Sequence, residues 1–403
     1  MRRVVVTGIG VISAIGRNLA EFEQSLRTGR SGVALLTDPA HREFRFKNGA
    51  EVRCFHAADH FSLKEADMID RFAQFAVVAA REAVKHSGIE WTDTLREESA
   101  IVTGSCIGGQ ATEDQGFYDV YKMGKPRVHP MTIPKTMANA GASAISLDFG
   151  VTGPVFTIAT ACSSSAHAIG QAFGMVRSGM CDVAIAGGSE APFSYGVLKA
   201  WEAMRVVSPD VCRPFSRNRN GMILGEGAAM MVIESLEHAR ARGARPIAEV
   251  AGFGMSSDAH HITQPSAEGA AKAIRMALKD AGVVPEQIGY VNAHGTGTGV
   301  NDPTETRALH LAFGEHARRL AISSTKAMHG HTLGAAGAIE STATVLALAN
   351  GILPPTINFA EPDPECDLDC IPNEARAASV EYALSNSFAF GGLNAVLAFK
   401  ALA

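Results

Sequence analysis

The chain has 403 residues, 46% of them hydrophobic and 19% charged, which is enough to bury two cores at roughly 100–200 residues per domain. A formal net charge of −5 with no block of like charge gives no footing for a nucleic-acid surface. The cysteines number 7, odd and scattered, which points to reduced thiols rather than a disulfide framework.

The opening MRRVVVTGIGVIS reads as a strand. Thr7, Gly8 and Gly10 break its apolar run before a signal-peptide core forms, and no stretch of about 18 apolar residues follows, so a cytoplasmic chain without a membrane span is expected. Its Gly-x-Gly lacks the third glycine and the acidic partner of a dinucleotide site. Similar β-branched runs ending near glycine recur as AIVTGSCIGG, VFTIATAC, CDVAIAGG, IAEVAGFG, IGYVNAHG, RLAISSTK and VEYALSNSF. Alanine-rich helical stretches separate them, the α/β pattern of buried parallel strands with crossover helices. The two sets share a layout: each opens near a Gly-x-Gly, carries reactive-looking residues at a strand-to-helix turn, and has a late strand ending in Gly-Gly (VAIAGG, SFAFGG). A duplicated unit is therefore predicted, residues 1–245 and 246–403, with the seam near residues 243–246. Polar segments at 36–53, 113–134 and 209–220 interrupt the first unit and are expected to form walls, lids or interface arms. The late pair Cys366 and Cys370 in PECDLDC lacks the further ligands of a metal site, and the carboxylates around it read as a solvated loop.

Chemistry concentrates at three places. VFTIATA delivers Cys162 to the start of the helix SSSAHAIGQAFGMVRSG, where unpaired N–H groups and the positive helix end favour a thiolate. A cysteine among alanines is otherwise a packing residue. His294 ends IGYVNAH within NAHGTGT, and His331 follows Lys326 in STKAMHGHTLGAAGAIE. One loop histidine is an ordinary hydrogen-bonded group; two at C-terminal strand edges, with a strand-ended cysteine, mark a ligand site.

TACSSS around Cys162, NAHGTGT around His294, STKAMHGH with Lys326 and His331, and NSFAFGG at 386–392 together resemble an elongating β-ketoacyl-acyl-carrier-protein synthase of the thiolase fold. The likeness runs from VVVTGIGVIS to NAVLAFK, and NAHGTGTGVNDPTET and PPTINFAEPDPECDLD are similar to the nodulation-protein E and secondary-metabolite branch. The resemblance implies a duplicated αβαβα five-layer architecture with two mixed, mainly parallel sheets. It implies acyl transfer to Cys162, then decarboxylative condensation with a malonyl carrier. The backbone N–H groups of Cys162 and Phe390 would hold the oxyanion, and neutral His294 and His331 the enolate. Lys326, Glu305 and Asp302 would support the site, Thr296, Thr298 and Thr263 would hold the phosphopantetheine arm, Phe390 would act as a gate and Ile107 would control entry to an acyl tunnel. No cofactor is implied beyond that arm; a monovalent cation at Asn292, Glu340 and Ser385 is. The implied partners are an acyl carrier protein and either a second copy, with residues 131–134 reaching its acyl pocket, or a related subunit.

The pattern departs from the family at several positions. Ala389 and Leu393 stand where glycine and threonine are usual, so a stiffer gate is expected. Cys106 replaces a glycine beside Ile107 and would narrow the tunnel. Asp67 and Met68 replace a basic pair that meets the carrier, which leaves Lys64, Arg127 and Arg205 as candidates. A degradative thiolase would need a second cysteine where FAFGG stands, and an initiating synthase an asparagine in place of His331. A non-catalytic chain-length subunit, the alternative from another class, would lack Cys162.

Overall fold

A computed structural model describes residues 1–402. Its main sheet contains β1 (Val4–Ser13), β2 (Ala100–Gly104), β3 (Val155–Ile158), β4 (Val183–Glu190), β5 (Gly227–Ser235), β6 (Ala248–Ser257), β7 (Ile288–Asn292), β8 (Ala321–Ser323), β9 (Tyr382–Ala389) and β10 (Leu393–Ala401). The order across the sheet is β8-β7-β9-β10-β6-β1-β5-β4-β2-β3. Cut between β6 and β1, each group has its own third, second, fourth, fifth and first strands side by side, so the topology repeats. The two groups meet through a short antiparallel contact, Val4–Val6 against Ala248–Val250. The two expected sheets are thus joined edge to edge. In each group the second strand runs parallel to the third and fourth, while the fifth strand, β5 or β10, returns antiparallel. These two returning strands are the ones that the glycine-ended sequence runs do not include.

Helices complete five layers. α1 (Arg71–Ser87) packs outside the first group, and α3 (Ala267–Ala281), with α4 (Asn301–Phe313) beside it, outside the second. α2 (Ser164–Ser178) and α5 (Ala336–Asn350) pack on each other between the groups. Sequence explains which helix goes where. The outer helices carry one apolar stripe and ordinary caps: Asp70 accepts from the Phe72 N–H and Ser266 from the Gly269 N–H, while Gly88 and Gly282 close them at φ 64° and 69°. α5 is instead buried on every side from Ala336 to Leu348, which its small residues allow. At the crossing, a Cβ on Gly337 would stand 2.8 Å from Ala166 of α2. The three largest apolar cores follow this layering: Phe72, Phe75 and Ile185 on one outer side, Ile169, Val6 and Ile339 in the middle, and Ile274, Val291 and Leu309 on the other.

Candidate active site

Between β3 and α2, residues 159–163 form a tight elbow. Ala161 is left-handed at φ 50°, a conformation that costs an L-residue roughly 1–2 kcal/mol. The serines that follow hold it there. Ser164 Oγ accepts from the Thr160 N–H at 2.9 Å and donates to the Ala161 carbonyl at 2.7 Å, and Ser163 Oγ donates to the Thr160 carbonyl at 2.8 Å. Ser165 Oγ accepts from the Ala338 N–H at 2.9 Å, tying the elbow's helix to α5. The run SSS is therefore a set of clamps as well as room for helix packing.

Cys162 at the apex is 7% exposed. Burial pushes its thiol up to about 11, while Lys326 and the Phe390 N–H pull it back. Loss of water thus outweighs the helix end, and the resting group is a thiol, not the thiolate expected from the sequence.

Both histidines are buried on the C-terminal side of the second group's strands, His294 just after β7 and His331 beyond the short helical turn Lys326–His329 that follows β8, with ring centroids 5.4 Å apart and nearly perpendicular. Burial first, then the Lys326 charge, holds both well below the usual 6.5, so both are neutral imidazoles. Their outer nitrogens are taken. Lys326 Nζ lies 3.3 Å from His294 Nδ1, and the Leu333 N–H donates to His331 Nδ1 at 3.2 Å. Each Nδ1 therefore accepts, which leaves the proton on Nε2 as a donor.

A second layer of carboxylates fixes these loops. Lys326 Nζ also donates to the His294 carbonyl at 2.6 Å and to Glu340, in a fully buried pair. Burial raises Glu340 to about 7 despite that partner. Glu305 accepts from the His294 and Gly295 N–H groups at 2.8 and 2.7 Å and from Asn386 at 3.2 Å. Asp302, raised by burial to about 6, accepts from the Phe215 N–H at 2.8 Å and the Gly297 N–H at 3.1 Å. Asp302 thus ties segment 209–220 to the NAHGTGT loop.

One cavity of about 340 Å3 joins Cys162, His294, His331 and Phe390 with Thr263, Thr296 and Thr298. Thr296 and Thr298 are hydrogen-bonded to each other at 2.9 Å. Ile107 does not line this cavity; it packs behind it with Cys106, Phe193 and Met222. Ala389 is extended and pairs with Leu393 at the end of β9; the left-handed positions are Gly391 at 81° and Gly392 at 69°. The glycine missing from the gate motif is therefore not one the turn requires. Lys64 and Arg127 lie exposed, Asp67 faces His129 at 3.1 Å, and Arg205 sits between the cavity residues Met204 and Val206.

Sequence reasoning missed Trp201, which stacks on Phe390 at 6.4 Å, the walls Met204, Val206 and Met222, and the buried Glu190. A carboxylate closing VAIAGGSE, at the C-terminal end of a strand, was the available signal for Glu190. It also passed over His329, held by burial at about 3 between Thr325 and the Gly330 carbonyl.

A strand-ended cysteine and two neutral Nε2–H imidazoles, brought together by two repeats stacked in five layers, define a thiolase-fold condensing enzyme. The profile "Beta-ketoacyl synthase, N-terminal domain" matches residues 1–239 and "Beta-ketoacyl synthase, C-terminal domain" residues 247–360, and the chain belongs to the β-ketoacyl synthase family. It is 45% identical over 401 residues to "Nodulation protein E" of Rhizobium sp. (strain N33), covering 99% of each chain. It is 43% identical over 410 residues to "3-oxoacyl-[acyl-carrier-protein] synthase 2" of Synechocystis sp. (strain ATCC 27184 / PCC 6803 / Kazusa), covering 99% of this chain and 98% of the relative. Among solved structures it superposes on "The ishigamide ketosynthase/chain length factor" with TM-score 0.95, 38% identity and all of both chains covered. No helix among the described residues is long and apolar enough to cross a membrane.

Proposed function

We propose that this chain is a β-ketoacyl-acyl-carrier-protein synthase that builds acyl chains by decarboxylative Claisen condensation. The observation that carries the reading is the single cavity holding Cys162, two Nε2–H donors and the Phe390 N–H. In the first step the Cys162 sulfur attacks an acyl-carrier thioester and the carrier sulfur leaves, taking the thiol proton. The N–H groups of Cys162 and Phe390 hold the intermediate oxyanion. A malonyl carrier then enters past Phe390, with Thr263, Thr296 and Thr298 along its pantetheine arm. Carbon dioxide leaves, and His294 and His331 donate Nε2–H to the enolate oxygen. The enolate carbon attacks the acyl group, the C–S bond to Cys162 breaks, and the sulfur recovers a proton. Ile107, behind the cavity, would meet the far part of the acyl chain.

The residues expected around a cation suit one. Asn292 Oδ1 and Glu340 Oε2 are buried without a hydrogen-bond partner, and Ser385 pairs with Asn292 across β9 and β7. These oxygens would hold a hard monovalent ion, which would supply charge balance beneath the histidine loops. The chain divides in this reading into units 1–245 and 246–403. Its partners are an acyl carrier and a second copy or a related subunit, met by the arm at 131–134, where Ile133 is 70% exposed. The location that fits such carriers is the cytoplasm.

The test incubates the enzyme with a panel of acyl carriers and malonyl carrier and reads intact mass. Acyl adducts on Cys162 that convert to β-ketoacyl carriers are expected. Absence of any adduct, or condensation by Cys162→Ala, would overturn the reading.

A further inference from the structure

Glu190 ends β4 with its carboxylate fully buried and gathers, besides the Cys106 thiol, four N–H or O–H donors from two separate loops. The Ser105 hydroxyl lies at 2.9 Å, the Cys106 N–H at 2.8 Å and the Ile107 N–H at 3.4 Å, all in the loop after β2. The fourth, the Gly334 N–H at 3.0 Å, belongs to the loop after β8. Ser105 Oγ also accepts from the Gly108 N–H at 3.2 Å, so residues 105–108 move as one piece with the carboxylate.

Gly334 directly follows Leu333, whose N–H fixes the tautomer of His331. Leu333 is left-handed at φ 49°, a strained state that persists only where its surroundings impose it. The fit is tight: a Cβ on Gly334 would stand 2.5 Å from both Glu190 Oε2 and the Cys106 nitrogen. Burying a carboxylate among neutral donors is an expensive way to fasten two loops, since neutral groups would do so without desolvating a charge.

We propose that Glu190 is a positioning residue that couples the acyl-pocket loop at 105–108 to His331. A chain lodged against Ile107 shifts that loop. The carboxylate passes the shift to Gly334, and Leu333 then sets His331 for the malonyl thioester. Decarboxylation is thereby favoured on acylated enzyme and restrained on free enzyme, which would otherwise waste malonyl carrier.

The inference rests on the function proposed above. Its test compares wild type, Glu190→Gln and Gly334→Ala in three measurements: acylation of Cys162 by mass, condensation, and carbon dioxide release from malonyl carrier by free and acylated enzyme. In wild type, acylation should speed carbon dioxide release at least about 10-fold, the effect of one hydrogen bond to a charged group. Both variants should acylate within about 2-fold of wild type, condense at least about 10-fold more slowly and lose the acyl dependence of carbon dioxide release. Ser105→Ala, which removes one donor, should lose less. The proposal is overturned if wild type shows no acyl dependence, or if either variant keeps it. An equal fall in acylation and condensation in a variant that stays folded also overturns it. If Glu190→Gln does not fold, Gly334→Ala decides alone. A wild type that is never acylated at Cys162 rejects the proposed function instead.

Discussion

The junction from β3 to α2 and the junction from β8 to α5 occupy the same place in the two repeats, yet they are built for different work. The first spans residues 159–163 and the second 324–335. The short one forces a left-handed Ala161 and presents one sulfur at its apex, clamped by serine hydroxyls. The long one has room for Lys326, His329 and His331, each buried and each bonded through side-chain nitrogens. Duplication supplied two strand-to-helix turns facing a common space, and loop length divided the chemistry between them. A nucleophile needs one fixed atom; the long junction instead carries His331 with the Leu333 N–H that sets its tautomer, and Lys326, which sets that of His294 from the neighbouring loop.

This division of labour predicts that the two junctions fail differently. Cys162→Ala should abolish acyl adducts, a loss on the order of 10³-fold or more. His331→Ala should keep the acyl adduct while condensation falls about 10²–10⁴-fold, the usual worth of a positioned donor or acid. Quenched mass spectrometry separates the outcomes, and equal loss of both steps in both variants would erase the distinction.

Lys326→Ala probes the long loop's electrostatics. It leaves Glu340 buried without its cation, so unfolding free energy should drop by about 3–5 kcal/mol. The pH dependence follows from the direction of the shifts. The Lys326 charge lowers both imidazoles, so removing it moves them back up toward 6.5. In wild type the two histidines should contribute no acid limb as pH falls through 6.5, because both rings stay neutral; a limb near 7 would belong to Glu340. In the variant the histidines' acid limb should move to higher pH. An unchanged limb would mean that burial alone sets the histidines.

Much of the first-order layout was legible in the sequence. Glycine-ended β-branched runs mark eight of the strands; six of these pair in parallel with a neighbour, and a parallel strand inside an α/β sheet reads as a mainly apolar run. β5 and β10 escaped because they begin after loops rather than ending in glycine, and GAAMMVIES reads equally well as helix. His294 and His331 were found because a histidine among glycines has no packing reason to be there, and Cys162, which alone reads as packing, because it ends a strand at a helix start alongside those two motifs. What the sequence could not show was competition between burial and the helix end at Cys162, where geometry decides a sign that motif logic leaves open. Glu190 was missed for a related reason: its partners, Ser105 and Gly334, lie far apart in the chain and meet only in the fold.

Smaller effects should distinguish strain from hinge. Ala161→Gly relieves a left-handed alanine, a gain of roughly 1–2 kcal/mol, but adds backbone freedom to the unfolded chain that returns about 0.5–1 kcal/mol. Tm should therefore change little or rise slightly. Acylation should nevertheless fall severalfold, because the elbow's one fixed atom gains freedom.

Ala389→Gly is the smallest change and tests the gate. The family's usual glycine at this position suggests a hinge, but Ala389 is extended and laddered to Leu393, while the left-handed angles fall on Gly391 and Gly392. A glycine at a strand position that needs no special angle costs about 0.5–1 kcal/mol, and nothing in the turn is eased by it. A lower Tm is expected, with the rate of malonyl-dependent condensation on pre-acylated enzyme unchanged. A faster rate would place a hinge at Ala389 after all, and the gate of the second repeat would then be held by a side chain rather than by its glycines.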